Sequence, residues 1–463
     1  MNDEYKNILV VGLGYRTGLA TSNFLAGKGK SVTVTDIKTE PELKDIIDKL
    51  DPAVKVIAGD QSPEILDAGF ELVVLSPGVP AVIPLVVEAK KRGIPVIAEI
   101  ELAYRYMKGR IIAITGTDGK STTTTLTGYI FRALGFCTFV GGNIGVPLVT
   151  FADDTTDDSV TVIELSSFQL ETIDTFRPDV AAILNVTPDH LDRYNSIDDY
   201  FAAKKRIFMN QTDDDWFVYN KDNEILASSG NEYPRNVLKF SAKDSDADAD
   251  SFFLNNSVYY RSEVIDLIIA QENELKIIGI HNMQNIMASI LMVVALHKKL
   301  GAVPDFDRIV EACRSFPGLE HRMENVGEYM GRTFVNDSKA TTIGAVEMAV
   351  KSIKDKGVII VGGRTKGDDY SRLVPVLKDK ARMIVLIGES SDEFAELFKD
   401  SPHVRAGSME DAVVKAMQAS EDGDMILLSP ACASFDMFTS YDERGKVFKE
   451  CFRKLMEGEL SWN

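Results

Sequence analysis

Lys120 and Ser121 stand within "AITGTDGKSTTTTLTGYI" (Ala113–Ile130), where an apolar strand runs into a glycine turn and then a threonine-rich helix start. That combination is the chemistry of phosphate binding. Backbone N–H groups at such a turn point at phosphate oxygens, the lysine neutralises β/γ charge, and the serine hydroxyl can ligate Mg2+. The run Gly116, Thr117, Asp118, Gly119, Lys120, Ser121, Thr122 misses the full spacing G-x-x-x-x-G-K-[ST], because Ile114 stands five residues before Gly119. The shortened turn has fewer loop residues but no different chemistry. A plain strand–helix turn, with the lysine incidental, is the alternative.

Two further strand ends carry groups that phosphoryl transfer needs. "VTVIELSS" puts Glu164 at the end of a strand, where a Mg2+ carboxylate would sit, although a surface acid reads the same way. "AILNVTPDHLDRY" ends in a polar turn with Asp189, His190 and Asp192, and a lone histidine is more often structural than a ligand. In "DDYFAAKKRIF" a helix would place Lys204 on one face with Tyr200, Ile207 and Phe208, interrupting an apolar stripe. Periodicity alone favours a snorkelling lysine whose stem packs while its amine reaches water.

An earlier glycine loop, "VVGLGYRTG" (Val10–Gly18), precedes a second strand that ends at Asp36. The pattern is G-x-G-x-x-x-G, one residue longer than the usual dinucleotide fingerprint. Three readings stay open: a dinucleotide, a tight turn with no ligand, or a different nucleotide held at the helix N-terminus.

The elements that must position these residues alternate between β-type runs and helical patterns along the whole chain, which argues for parallel sheets in α/β domains. Their crevices lie beyond the carboxyl ends of the strands. The expected fold class is α/β with three domains: a Rossmann-like N-terminal domain (1–98), a central P-loop ATPase-type parallel sheet with added β-hairpins (99–318), and a Rossmann-like C-terminal domain (319–463). The hairpins are expected between Trp216 and Lys276, around the acidic loop "KDSDADADS", and "HNMQNIMASILMVVALHKKLG" reads as a long buried helix. Acidic residues outnumber basic ones by 70 to 51, which disfavours wholesale nucleic-acid binding. Cys137, Cys313, Cys432 and Cys451 are scattered without ligand spacing, so neither a disulfide framework nor structural zinc is expected. The first residues carry acids where a signal peptide would be basic, and apolar runs such as "ILMVVAL" are far short of a bilayer span. A cytoplasmic protein without membrane insertion is expected, with a monomer as the expected state.

Taken together, the motifs resemble the Mur ligase family, ATP-dependent amide ligases of bacterial cell-wall precursor synthesis. The residues that carry the resemblance are "TGTDGKS" (Thr115–Ser121), "ELSSFQ" (Glu164–Gln169), "NVTPDHLD" (Asn185–Asp192), "AKKR" (Ala203–Arg206), "HNMQN" (His281–Asn285), "PGLEHR" (Pro317–Arg322), "NDSKAT" (Asn336–Thr341) and "SPACASFDMF" (Ser429–Phe438). They follow the family's order and span most of the chain. Within the family, "ELSSFQLE" and "SPACASFDMF" are most similar to the member that joins D-glutamate to UDP-N-acetylmuramoyl-L-alanine, and the D-N-P-R motif typical of the ligase adding the third residue is absent.

The resemblance implies that the first domain holds UDP rather than a dinucleotide, through Tyr15, Arg16, Thr17, Asp36, Ser76, Gly78, Asn143 and Gln169. It implies that Lys204 is carbamylated by CO2 and becomes an acidic metal ligand. ATP and Mg2+ are the implied cofactors, with two metal sites: Ser121 and Glu164 at one, His190 and the Lys204 carbamate at the other. Asn282 and Asn285 are expected beside ATP, and Arg322 and Asp337 are expected to close on it. Thr341, Lys366, Ser434 and Tyr441 are expected around D-glutamate. Asp118 replaces a more familiar asparagine, and Arg364 stands where an acid or small residue is expected. The rival readings are another Mur-type or folylpolyglutamate-type ligase and, from a different class, an NAD(P)-dependent dehydrogenase using the Gly12/Gly14 loop.

Overall fold

The computed structural model describes residues 5–189, 193–243 and 248–462. Its contacts fall into two compact units, Met1–Ala270 with Gln284–Cys313 and Gln271–Met283 with Arg314–Asn463. Among the described residues the strands form three sheets.

The first unit contains two of them. A five-stranded sheet runs in the order Lys55–Ala58, Ser31–Asp36, Asn7–Val11, Leu72–Leu75, Val96–Ala98, and every pairing in it is parallel. The strands Asn7–Val11 and Leu72–Leu75 at its centre are near-continuous Val/Ile/Leu runs because both faces are covered. The chain winds outward in both directions from Asn7–Val11, and this switch point opens a crevice at the strand's carboxyl end. There the helix Thr17–Gly27 begins. A Cβ at Gly18 would stand only 2.1 Å from the Gly12 carbonyl oxygen, so the lengthened glycine pattern still delivers a glycine where helix and strand loop touch.

The second sheet has nine strands, with Arg110–Thr115 between Val160–Glu164 and Val180–Ile183, parallel to both. The phosphate loop, Glu164 and the turn after Ile183 therefore leave three adjacent strands at one end of the sheet. The sheet continues in parallel through Trp216–Asn220 and Asn236–Ser241. The expected hairpin lies only in the later part of this segment, where Ser251–Leu254 pairs antiparallel with Ser257–Arg261. A single apolar core joins the two sheets, with Ile8 and Val34 of the first in one cluster with Ile111, Ile163 and Phe217 of the second. The helix Ile280–Lys299 is buried along most of its length, as its sequence predicts, and the division between units falls within it, after Met283.

The second unit is built on a six-stranded sheet, in the order Glu324–Tyr329, Arg332–Asn336, Met425–Leu428, Gly357–Gly362, Ala381–Ile387, His403–Ala406. Only the first pair is antiparallel. Apolar clusters cover both faces.

Gly18→Ala is expected to force the first helix off its strand loop, lowering unfolding stability by about 1–3 kcal/mol. Thermal and denaturant unfolding of the intact chain check this; an unchanged midpoint would show that the loop yields.

Candidate active site

Gly116 and Gly119 both take positive φ, +156° and +79°, which L side chains rarely adopt. A Cβ on Gly119 would also come within 2.4 Å of Asn285 Oδ1. The turn is braced from the next strand end by Asn185, whose Oδ1 accepts from the N–H groups of Thr117 (3.0 Å) and Asp118 (2.8 Å). The carbonyl of Asn185 accepts a further hydrogen bond from Thr117 N–H. Asn285 accepts from Thr123 Oγ1 at 3.1 Å, on the helix Lys120–Ala133 that the loop opens. This helix has no acidic residue in its first turn, so its dipole is left to favour an anion.

Two lysines converge on one oxygen here. Lys120 Nζ donates to the Gly116 carbonyl at 2.9 Å and to the Thr117 carbonyl at 2.5 Å. Lys204 Nζ donates to the same Gly116 carbonyl at 2.8 Å. Lys204, near the end of the helix Ile197–Lys205, is 1% exposed, so the snorkelling arrangement does not occur. Its ammonium lies 4.3 Å from the centroid of the Tyr200 ring. Burial, reinforced by the Lys120 charge, holds the Lys204 amine well below the usual lysine range. A neutral amine is the form that can capture CO2.

Glu164 ends its strand buried, with Oε1 accepting from Asn143 Nδ2 at 2.8 Å. Its Oε2 is buried without a hydrogen-bond partner among the described residues. An orphaned buried carboxylate oxygen is costly and calls for a cation or donor. The described residues contain no cluster of three or more His, Cys, Asp or Glu that could hold a metal. Mg2+ fits such a sparse donor set, because it keeps waters and binds through few carboxylates plus substrate phosphates. His190 and Asp192 lie outside the described residues.

The first sheet's crevice is a cleft of about 530 Å3. Arg16, Thr17, Asp36, Ser76, Gly78, Asn143 and Gln169 all line it, and so do Lys38 and Gln61, which the sequence did not single out. Tyr15 is not among the lining residues; it is exposed, with Lys49 Nζ over its ring at 4.9 Å. Asp36 binds backbone with both oxygens, accepting from Leu13 N–H at 2.7 Å and Lys38 N–H at 3.0 Å. Ser76 Oγ donates to the Gly12 carbonyl at 2.7 Å. Gln169 lies buried in a capping box, its Oε1 accepting from Ser166 N–H at 3.0 Å.

In the second unit, Lys366 Nζ donates to the Thr341 carbonyl at 3.0 Å, an exposed cation against a named neighbour. Arg364 is held instead by Glu389, through Nε at 3.1 Å and Nη2 at 2.9 Å. Ser434 is buried, and Tyr441 opens the helix Tyr441–Met456, with Lys339 Nζ 4.9 Å from its ring centroid. Beneath them Arg444, buried and missed from the sequence, ties two strand-end loops together: its guanidinium donates to Ser338 Oγ and carbonyl and to the Cys432 carbonyl. Asn282 Nδ2, also in this unit, donates to the Ile278 carbonyl at 2.8 Å. Asp337 accepts from Met323 N–H and Ser429 Oγ, both at 3.1 Å, and burial pushes its carboxyl up to about 7 despite these bonds and the Arg322 charge.

Three family descriptions match the chain: "Mur ligase MurD-like, N-terminal domain" over residues 6–98, "Mur ligase middle domain" over 114–293, and "Mur ligase, glutamate ligase domain" over 321–432. A UDP-N-acetylmuramoylalanine–D-glutamate ligase of Koribacter versatilis is 41% identical, covering 99% of this chain and 100% of its own. The chain belongs to the Mur ligase family. A ligase of the same name from Geotalea daltonii is 42% identical over equal shares. Among solved structures, the MurF ligase of Thermotoga maritima in complex with ADP aligns with a TM-score of 0.60, covering 99% of this chain and 100% of that one at 17% identity. The UDP-N-acetylmuramate-alanine ligase of the same organism gives 0.57, at 97% and 99% coverage and 18% identity. These establish the three-sheet Mur ligase fold in this chain.

Because Asp337 is protonated in the folded state up to about pH 7 but ionises near 3.8 when unfolded, its contribution to stability is lost as pH rises between those values. The wild type should therefore lose stability relative to Asp337→Asn across that window, by at most about 1.4 kcal/mol per pH unit. Paired denaturation curves from pH 5 to pH 8 check it; a pH-independent difference would contradict it.

Proposed function

We propose that the chain is the ATP-dependent ligase that adds D-glutamate to UDP-N-acetylmuramoyl-L-alanine in peptidoglycan precursor synthesis. The observation that carries the reaction type is the meeting of Lys120 and Lys204 on the Gly116 carbonyl, with the half-satisfied Glu164 at the end of the adjacent strand. The printed names of relatives aligned over essentially the whole chain support the substrates.

A free carboxylate is a poor electrophile, so the L-alanine carboxylate first attacks the γ-phosphorus of ATP. A C–O–P linkage forms and ADP leaves. The D-glutamate amine then attacks the acyl carbon, loses its proton, and inorganic phosphate departs as the amide forms. Two anions meet in the first step, and positioning and charge stabilisation are the main contributions the protein can make. Lys120 carries the γ-phosphate charge in this reading, and Gly116, Thr117, Asp118, Gly119, Ser121 and Thr122 cradle the phosphates; Asn282, Asn285, Arg322 and Asp337 are the further ATP residues that the family resemblance implies.

Ser121 and Glu164 would hold one Mg2+, and His190 and carbamylated Lys204 a second. Bound there, the metal supplies Lewis-acid neutralisation of the phosphate and carboxylate oxygens. Carbamylation joins the neutral Lys204 nitrogen to the carbon of CO2, and the amine proton passes to water. It converts a buried neutral amine into an anion. Arg16, Thr17, Asp36, Ser76, Gly78, Asn143 and Gln169 would hold the UDP substrate, without Tyr15; Thr341, Lys366, Ser434 and Tyr441 would hold D-glutamate. The functional divisions 1–98, 99–318 and 319–463 belong to the same reading. A dehydrogenase using the Gly12/Gly14 loop would leave Lys120, Glu164 and Lys204 without a role.

ADP release with ATP, Mg2+ and UDP-N-acetylmuramoyl-L-alanine should require D-glutamate, with L-glutamate and L-alanine giving background rates. Turnover with L-alanine alone, or with no amino acid preference, would overturn the substrate assignment. Lys120→Ala should lower turnover by about a hundredfold or more. In 13CO2-equilibrated protein, a carbamate 13C resonance should be present in wild type and absent in Lys204→Arg; its persistence in the variant would place the modification elsewhere.

A further inference from the structure

The loop between the strand Thr138–Gly142 and Val146 touches both ligand regions of the first unit. On one side Asn143 grips Glu164 twice, its backbone N–H donating to the Glu164 carbonyl at 2.9 Å and its Nδ2 to Oε1 at 2.8 Å. Gly142 packs so closely behind that a Cβ there would stand 2.4 Å from the Glu164 carbonyl oxygen. On the other side Arg16 Nη2 donates to the Gly145 carbonyl at 2.6 Å, and Gly142 and Asn143 line the cleft. The Asn143 amide orientation is dictated by chemistry. A carboxylate only accepts, so the amide nitrogen must face Glu164. One N–H is used there, which leaves the amide's second N–H for an acceptor in the cleft.

We infer that Asn143 is a positioning residue that couples occupancy of the UDP-substrate cleft to cation binding at Glu164, with the Arg16–Gly145 contact as the second arm of the relay. The inference rests on the proposed roles of the cleft and of Glu164. A substrate diphosphate is drawn to the Thr17–Gly27 helix N-terminus and to the Arg16 guanidinium, and its oxygens engage the loop through Arg16 and the Asn143 amide. Asn143 in turn fixes Oε1 of Glu164, so the carboxylate is already oriented when Oε2, otherwise unpartnered, takes a cation. Coupling of this kind is reciprocal: the cation must tighten substrate binding by the factor with which substrate tightens the cation.

The test uses the intact protein with a non-hydrolysable ATP analogue and Mn2+ as the probe, free Mn2+ being read by electron paramagnetic resonance with and without UDP-N-acetylmuramoyl-L-alanine. In the wild type the substrate should raise Mn2+ affinity about fivefold or more. Asn143→Ala should weaken substrate-free Mn2+ binding about 10- to 100-fold and abolish the substrate-induced gain. Arg16→Ala, at an exposed side chain, should keep the substrate-free Mn2+ affinity and reduce the gain. A wild type that binds both ligands without coupling would overturn the inference alone, as would a gain that persists undiminished in both variants. A wild type that does not bind the UDP substrate would overturn the proposed function and the relay with it.

Discussion

The carbonyl oxygen of Gly116 accepts hydrogen bonds from the amines of both Lys120 and Lys204, and the rest of the first unit's chemistry is organised around that meeting. Burial and the Lys120 charge both oppose a charge on Lys204, and the carboxylates of Asp189 and Asp118 offset them only in part. The fold offers a further anion a helix N-terminus with no acid in its first turn, behind a loop that Asn185 braces. The same pressure pushes Lys204 toward its neutral form. In the proposed function, phosphate binding and carbamylation answer the same electrostatic demand.

Glu164 presents the opposite demand a strand away. Its carboxylate is buried, held on one oxygen by Asn143 and unpartnered on the other. Two lysines on one carbonyl and an unmet acceptor at the end of the adjacent strand are the features on which the proposed nucleotide and cation site rests. The parallel pairing of Arg110–Thr115 with Val160–Glu164 and Val180–Ile183 holds these demands side by side, because parallel neighbours deliver their carboxyl ends to the same edge.

Much of this was legible in the sequence because it depends on local pattern. The strand–glycine–lysine grammar, Glu164 at a strand end, and the glycine at the first helix's close approach all follow from short-range spacing. Lys204 was not legible from periodicity. A helical stripe shows that a residue faces inward, but not that a carbonyl 88 residues earlier in the chain waits opposite it. Asn185 and Arg444 were missed for the same reason, since each acts by tying together loops that are remote in sequence. The run from Trp216 to Ser241 read as hairpins because short β-type runs separated by polar turns carry no signal of direction, whereas the structure adds both strands in parallel. Tyr15 sits in the right loop, but its side chain meets Lys49 outside the cleft, a choice set by a neighbour that loop spacing does not reveal.

The most direct test of this account is a crystal structure of the intact chain grown with Mn2+ and a non-hydrolysable ATP analogue, read by anomalous scattering from the metal. The account predicts an anomalous peak within coordination distance of Glu164 Oε2, with the analogue's terminal phosphate beside Lys120. Nucleotide bound in the loop with Glu164 Oε2 still unpartnered, or with the metal held elsewhere, would contradict it.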